Sequence, residues 1–102
     1  MSKREPSNDQ IEVTSNPNRS CYEVRVNGEF AGVCEYQLTD DVMAFTHTEI
    51  DPAFEGRGVG SQLVRQVLDD VRATGERRVL PVCPFVKRWI QRHPDYQDLL
   101  HS

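Results

Sequence analysis

The apolar residues change their spacing once, at a glycine-rich segment in the middle of the chain. Before this segment they alternate with polar residues, as in half-buried β-strands. After it, six apolar residues recur at the spacing of one helix face: Val59, Leu63, Val64, Val67, Leu68 and Val71. The segment itself runs from Glu55 to Ser61 and contains three glycines. The chain is therefore expected to pass from a sheet to a helix through a glycine turn.

Four strands are expected before this turn, at residues 11–14, 22–26, 30–38 and 42–50. Asn27-Gly28 lies between the second and third strands and is a strong hairpin signal, because both residues tolerate positive φ in a type I′ turn. Alternation in the fourth strand predicts two faces. One face would carry Met43, Phe45, His47 and Glu49, and the other would carry Val42, Ala44, Thr46, Thr48 and Ile50.

A helix, a strand and a second helix are expected after the turn. The first helix starts near Gly58 and stops at Gly75, a natural residue for a helix C-terminus. The fifth strand covers residues 78–82. The second helix starts at Pro84, buries Phe85 and Trp89, with Val86 or Ile90 as a further candidate, and ends before His93-Pro94. This order predicts an α+β fold, with a disordered tail at 1–10 and a single domain at 11–102.

Composition excludes several classes of protein. A chain of 102 residues supports one compact core, and its net charge of −4 argues against a nucleic-acid partner. No apolar run is long enough for a membrane span, and nothing resembles a signal peptide. The three cysteines form no CxxC pair and have no ligand-like spacing with the histidines, so no disulfide framework and no metal site are expected. A reducing cytoplasm is the simplest location.

The glycine turn has two interpretations. Unpaired backbone N–H groups at the start of a helix, together with the helix dipole, form an anion site that glycines open to a phosphate. Alternatively, the glycines only make a tight connection between strand and helix. A P-loop is excluded because no Gly-Lys-Ser/Thr follows. A Rossmann fingerprint fits poorly, because the upstream strands are linked by hairpins.

The segment from Glu55 to Gly60 resembles the acetyl-CoA signature of the GNAT N-acetyltransferases, Arg/Gln-x-x-Gly-x-Gly/Ala at the start of the central helix. Glu55 departs from that pattern, which has Arg or Gln at the first position. Taken together, residues 47–50, 54–61, 81–86 and 93–96 are similar to the small stand-alone GNAT-like subfamily. The resemblance covers nearly all of the chain after Ile11.

The resemblance implies a mostly antiparallel, twisted sheet of about five strands. A central helix follows strand four, a C-terminal helix follows strand five, and the sheet is splayed between these two strands. Acetyl-CoA would be the co-substrate, with its pantetheine arm along the fourth strand and its pyrophosphate on the amides of the glycine turn. The implied cofactor-binding residues are Thr48, Ile50, Gly56, Arg57, Gly58, Val59, Gly60 and Ser61. The acceptor would be an amine, in an open pocket because the helices that usually border it have no room here.

Cys83 is expected at the end of the fifth strand, immediately before the second helix. A helix N-terminus stabilises a thiolate, which favours nucleophilic chemistry. In the resembling subfamily the matching cysteine lies beside the acyl thioester. Cys83 could therefore accept the acetyl group transiently, or line the channel while an amine attacks directly. It could also be a small buried residue at the end of a strand.

His47 and Glu49 are candidates for a catalytic base, since they share one face near the polar end of the fourth strand. A satisfied histidine and a solvated glutamate are the plainer interpretations. Most GNAT enzymes carry a tyrosine on the last helix as a general acid, and residues 87–90 contain none. Tyr96 is the nearest tyrosine, although packing against the core explains it more simply. Cys21 and Cys34 are expected to be structural.

Three functions follow from these observations. The first is acetyl transfer from acetyl-CoA to a small amine or a protein amine. The second is a non-catalytic module that binds CoA or acyl-CoA, which the absent tyrosine and the shortened acceptor region would suit. The third is a protein-interaction domain in which the glycines only build a turn. The sequence leaves the acceptor and the oligomeric state open.

Overall fold

Five strands and two α-helices make up the part of the chain described by the structure, a computed structural model covering residues 10–101. The tail expected at 1–10 lies outside the described residues except for Gln10. The strands are β1 (Ile11–Asn16), β2 (Cys21–Val26), β3 (Glu29–Leu38), β4 (Val42–Ile50) and β5 (Arg78–Pro81); the helices are α1 (Val59–Thr74) and α2 (Pro84–Gln91). Short 3-10 turns occupy Pro17–Arg19, Pro52–Phe54 and Pro94–Leu99.

The strands form one sheet in chain order, β1-β2-β3-β4-β5. Strands β1 to β4 pair with one another in antiparallel fashion, while β5 pairs in parallel with β4 after the α1 crossover. The hairpin between β2 and β3 turns at Asn27 and Gly28, whose φ angles are +53° and +87°. These values confirm the predicted turn, and the α+β order of elements is also as predicted.

The pairing between β4 and β5 is short. It runs from Val42 opposite Arg78 to Phe45 opposite Pro81, and the next contact is the hydrogen bond from Cys83 N–H to the Phe45 carbonyl (2.8 Å). β4 continues for five residues beyond Phe45, paired there only with β3. The sheet therefore opens between its last two strands, and residues 46–50 of β4 present a strand edge to the gap.

A β-bulge at Thr46 changes the faces of β4. Glu35 lies opposite His47 and Tyr36 lies opposite Phe45, so Thr46 is an extra residue with no partner on β3. A bulge shifts the in-and-out alternation by one position. The prediction that His47 and Glu49 share a face with Met43 and Phe45 is therefore wrong. Thr48 and Ile50 instead follow Phe45 toward the helices, and His47 and Glu49 lie exposed on the other face.

The core lies between the sheet and the two helices. α1 contributes all six of its periodic apolar residues, and α2 contributes Val86, Trp89 and Ile90. Phe45, Tyr22 and Val24 are among the residues that meet them from the sheet. No described helix covers the opposite face of the sheet. The molecule therefore has two layers, one of helices and one of strands.

Phe85 is outside this core, contrary to the prediction. Its side chain is 41 % exposed, although Trp89, one turn further along α2, is buried. The two residues share a helix face, but α2 begins at Pro84 where β5 has already ended. Phe85 therefore extends over the gap in the sheet and lies against Gly60 at the start of α1.

Candidate active site

A groove of about 440 Å³ occupies the gap between the end of β4 and the start of α1. Its walls come from three parts of the chain that are distant in sequence. They are the end of β4, the glycine turn with the first residues of α1, and the first turn of α2. The lining residues are Thr48, Ile50, Phe54, Glu55, Gly56, Gly58, Val59, Gly60, Ser61 and Phe85.

The structure brings the predicted cofactor-binding residues together around this groove. Thr48 and Ile50 form the β4 wall, and Gly56 with residues 58–61 forms the opposite wall. Arg57 lies beside the groove, with its guanidinium carbon 5.4 Å from the centroid of the Phe54 ring. That geometry is a cation–π contact. Strand edge, glycine turn and arginine thus converge on one cavity.

The glycine turn requires left-handed backbone. Gly56 and Gly58 have φ angles of +80° and +76°, and Gly58 precedes the first residue of α1 with no side chain to cap the helix. The first hydrogen bond of the helix runs from Gln62 N–H to the Gly58 carbonyl (3.1 Å). The N–H groups of Val59, Gly60 and Ser61 thus precede the ladder of α1. They lie where the groove meets the positive end of the helix dipole.

Gly60 and Ser61 also contact α2. A Cβ atom placed on Gly60 would lie 2.9 Å from Cζ of Phe85, which is closer than side chains normally approach. Ser61 Oγ accepts a hydrogen bond from the indole Nε1 of Trp89 (2.9 Å). These two contacts hold the start of α1 against α2 at the edge of the groove.

Phe54 and Phe85 are groove residues that the sequence analysis did not identify as such. Phe54 follows the turn Asp51-Pro52, in which the Asp51 carboxylate accepts a hydrogen bond from Ala53 N–H (2.9 Å). Phe85 was assigned to the core because of its helical spacing from Trp89. An available signal was the position of Phe85 directly after Cys83-Pro84, at a helix start where the sheet has ended.

Cys83 lies at the N-terminus of α2 and belongs to a row of three side chains. Its thiol donates a hydrogen bond to Thr48 Oγ1 (3.5 Å), and the Thr48 hydroxyl donates one to Cys34 Sγ (3.6 Å). Cys83 is only 4 % exposed and Cys34 only 1 %, whereas Thr48 borders the groove. Burial raises the pKa of the Cys34 thiol to about 12. Thr48 thus connects the groove to two buried thiols.

His47 and Glu49 lie next to each other on the open face of the sheet. His47 Nε2 is 3.4 Å from Glu49 Oε1, and both side chains are exposed. The wall of the groove on β4 consists of Thr48 and Ile50, which point to the opposite face. His47 and Glu49 can therefore reach a molecule in the gap only from the side of the sheet without helices.

Tyr96 is buried against the outer side of α1. Its hydroxyl donates to Asp69 (2.7 Å) and accepts from Arg65 (3.3 Å), and its ring packs edge-on against Trp89. The hydrogen bond to Asp69 raises the pKa of the Tyr96 hydroxyl. Tyr96 thus packs against the core, as the simpler of its two interpretations predicted.

Residues 10–101 contain neither a metal-binding cluster nor a helix that could span a membrane. No cluster of three or more His, Cys, Asp or Glu side chains has the arrangement of a metal site. No helix in this range combines the length and the apolar character needed to cross a bilayer.

Several solved structures share the fold. A GCN5-like protein from Staphylococcus aureus superposes with a TM-score of 0.67 at 19 % identity, over 89 % of this chain and 88 % of that protein. The ribosomal-protein-S18-alanine N-acetyltransferase of Escherichia coli gives 0.54 at 20 % identity, over 58 % of this chain and 38 % of its own. A ribosomal-protein-alanine N-acetyltransferase from Brucella melitensis gives 0.56 at 14 % identity, over 80 % and 61 %.

A search of curated proteins gave no match, but the sequence does match a family model. Residues 21–99, which include the whole groove, match the model of the GCN5-related N-acetyltransferase family. Because this match spans most of the chain and agrees with the fold and the glycine turn, the protein belongs to the GCN5-related N-acetyltransferase family.

Proposed function

We propose that this protein binds acetyl-CoA in the groove and transfers the acetyl group to an amine. The observation that carries the proposal is the meeting of an unpaired strand edge with a helix N-terminus in one cavity. An extended amide-containing arm and a diphosphate need these two elements side by side. In this proposal residues 11–102 act as one minimal catalytic domain in the cytoplasm.

The pantetheine arm would lie along the end of β4. Residues 46–50 have no β5 partner, so their outward N–H and C=O groups are free to bond the amides of the arm as an added strand would. Ile50, Phe54 and Phe85 supply apolar surface beside that edge. The arm would thus complete the sheet where β5 ends.

The pyrophosphate would bind at the start of α1. The N–H groups of Val59, Gly60 and Ser61 and the helix dipole favour an anion there, and Gly56 and Gly58 allow close approach. Each such electrostatic contact contributes about 0.3–1 kcal/mol where solvent has access. Several contacts, including Arg57, would be needed to hold a diphosphate.

The thioester would lie near Thr48, at the end of the gap closest to Cys83. Because the thiol of Cys83 is buried behind Thr48, we propose that the amine attacks the thioester directly and that Cys83 does not carry the acetyl group. Cys83 then contributes to the thioester end of the site without acting as the nucleophile. Mass analysis of Cys83 during turnover tests this point.

The amine would approach from the open face of the sheet. His47 and Glu49 lie on that face next to the gap, so either can remove a proton from the incoming ammonium group directly or through water. His47→Gln and Glu49→Gln are expected to lower kcat while acetyl-CoA affinity stays the same. A loss of affinity in both variants would remove them from the acceptor side.

Thermal unfolding with and without acetyl-CoA is the first test. A ligand at about 100 times its Kd adds about 2.7 kcal/mol to the unfolding free energy. Turnover is then measured on a panel of a polyamine, a lysine peptide and a peptide with a free N-terminal alanine. Binding with turnover supports the proposal. Binding without turnover supports a CoA-binding module, and no binding at millimolar acetyl-CoA supports an interaction domain.

A further inference from the structure

We infer that the Thr48 hydroxyl delivers the proton that the departing CoA sulfur requires, and that the Cys83 thiol replaces this proton. The inference rests on the proposed function, because it assigns a proton route at the thioester end of that same groove. This chain needs another proton donor for the CoA sulfur, because no tyrosine is placed to supply one. The second helix carries no tyrosine, and the hydroxyl of Tyr96 is bonded to Asp69 on the outer side of α1.

Thr48 is placed between the groove and the thiol. Its side chain borders the cavity, while Cys83 touches it from behind at 3.5 Å and is nearly inaccessible. The bulge at Thr46 is the reason for this placement, since it turns Thr48 toward the helices. A molecule in the groove would therefore meet the side chain of Thr48 before it could meet the thiol of Cys83.

The other polar side chains of the groove are less suited to supplying a proton at this point. Ser61 lies in the first turn of α1, where its Oγ accepts the indole N–H of Trp89. Glu55 follows the 3-10 turn at the glycine end of the groove. Among the lining residues, Thr48 is the hydroxyl on the β4 wall.

The step balances as follows. The amine nitrogen forms a bond to the acetyl carbon, the C–S bond of acetyl-CoA breaks, and its electron pair goes to the CoA sulfur. The Thr48 O–H bond delivers a proton to that sulfur, and the Cys83 S–H proton moves to Thr48 Oγ1. The proton released by the amine passes to solvent. After CoA leaves, a proton from water in the groove returns to Cys83 by the reverse route, through Thr48 Oγ1.

Cys34 gives the relay its resting position. The Thr48 hydroxyl donates to Cys34 Sγ across 3.6 Å, and that contact orients the oxygen lone pairs of Thr48 toward Cys83. Rotation about the C–O bond of Thr48 redirects the proton from Cys34 to a sulfur in the groove. Cys34 is thus a positioning residue, and Thr48 and Cys83 are the groups that move the proton.

The test starts from the complex with acetyl-CoA. A crystal structure of the full chain is expected to show the thioester sulfur within hydrogen-bonding distance of Thr48 Oγ1. Thr48→Val keeps the shape of the side chain but removes the hydroxyl, and Thr48→Ser keeps the hydroxyl. With the best amine of the panel, kcat is expected to fall about 100-fold in Thr48→Val, while Thr48→Ser stays within about fivefold of the wild type. The Kd for acetyl-CoA should change much less than kcat in both variants, because the rest of the groove still holds the ligand.

Variants of Cys83 test the origin of the proton. Cys83→Ala is expected to lower kcat about tenfold, and Cys83→Ser, which keeps a donor, should recover most of the rate. Wild-type kcat in Thr48→Val overturns the inference, as does a bound thioester sulfur far from Thr48. An acetyl group on Cys83 that passes to the amine at the turnover rate also overturns it, although the protein would still be an acetyltransferase. Absence of acetyl-CoA binding removes the proposed function and the relay together.

Discussion

The indole N–H of Trp89 in α2 donates a hydrogen bond to Ser61 Oγ in the first turn of α1, across 2.9 Å. This bond joins the two helices on either side of the groove at the end where the proposed pyrophosphate site lies. Trp89 is held on its other side by Tyr96 and by a stacked His93, at centroid distances of 5.0 Å and 3.7 Å. The groove thus depends on contacts between helices as well as on the glycine turn.

Ser61→Ala is expected to destabilise the protein. It leaves the indole N–H of Trp89 without its partner in a largely buried position, which costs about 1–2 kcal/mol of unfolding free energy. Urea unfolding of the variant measures the loss. Trp89→Phe provides the control background, because Ser61→Ala should cost much less when the indole N–H is already absent. An equal cost in both backgrounds would show that the bond is not the cause.

Gly58→Ala and Gly60→Ala are a matched pair that should affect different properties. The first is expected to lower stability, and the second is expected to weaken acetyl-CoA binding. Gly58 has a φ of +76° and open space around its missing Cβ, so alanine there is expected to lower the unfolding free energy by about 1–2 kcal/mol through backbone strain. Gly60 is helical, and its added Cβ would displace the exposed ring of Phe85 in the groove. Gly60→Ala should therefore weaken acetyl-CoA binding more than it lowers stability.

Calorimetry with acetyl-CoA and urea unfolding separate the two effects of these glycine variants. Phe85→Leu combined with Gly60→Ala tests the cause, since a smaller side chain should make room for the new methyl group. Binding is then expected to recover in part. If Gly60→Ala binds acetyl-CoA as the wild type does, Phe85 does not set the width of the groove.

Glu55→Gln is expected to tighten acetyl-CoA binding. Glu55 borders the groove at the position where the family signature has Arg or Gln, so its carboxylate would repel a pyrophosphate. Removing one such charge should lower the Kd about two- to fivefold at low salt, and the gain should shrink as salt is added. Glu76→Gln, at the opposite end of α1, makes the same change in net charge and controls for it. A similar gain in both variants would mean that only net charge matters.

Stability is expected to fall in alkaline solution. Burial raises the pKa of the Cys34 thiol to about 12, whereas an unfolded thiol has a pKa near 9.0. Between these values the unfolded chain releases a proton that the folded protein retains, so the unfolding free energy decreases by about 1.4 kcal/mol per pH unit from this group. The stabilisation is complete below about pH 9 and is lost as the pH rises toward 12.

Urea unfolding at several alkaline pH values measures this slope for Cys34. Cys34→Ala should be less stable near neutral pH, because it leaves a small cavity, but should show a shallower decline. Tyr22, whose pKa is raised by burial and by its bond to Asp70, adds to the decline in both proteins. Identical slopes in the wild type and Cys34→Ala would contradict the assignment.

Tyr96→Phe is expected to affect stability and leave acetyl transfer unchanged. The substitution removes the hydrogen bond to Asp69 and should cost about 1–2 kcal/mol, measured by urea unfolding. The hydroxyl lies on the outer side of α1 and has no contact with the groove in the structure, so kcat should match the wild type. A large fall in kcat at normal stability would instead make Tyr96 a general acid.

Most of the fold could be predicted from the sequence because each strand and helix carries a clear period. The bounds of β3 and β4 agree with prediction to within one residue. β1 extends two residues further than predicted, to Asn16, because pairing with β2 recruits polar residues that carry no periodic signal. The glycine turn could also be predicted from the local sequence, because the positive φ angles at Gly56 and Gly58 favour glycine.

The errors arose where the structure depends on tertiary contacts. Thr46 looks like any β-branched strand residue, so nothing in the sequence marks it as a bulge, and the face of His47 was assigned incorrectly. The environment of Phe85 depends on the gap beside β4, which continues for five residues beyond its pairing with β5, and periodicity does not reveal where two strands stop pairing. The row formed by Cys34, Thr48 and Cys83 joins β3, β4 and the start of α2. It becomes visible only when those three segments meet.

The extra residue at Thr46 gives β4 two halves with opposite phase. In the first half, odd-numbered positions such as Phe45 face the helices; in the second half, even-numbered positions such as Thr48 do so. A bulge-free pairing, with Thr46 opposite Glu35, would give the strand a single phase and exchange its two surfaces from that point onward. His47 would then occupy the wall of the groove and Thr48 would face solvent. One residue without a partner on β3 thus decides which side chains line the groove and which lie on the open face of the sheet.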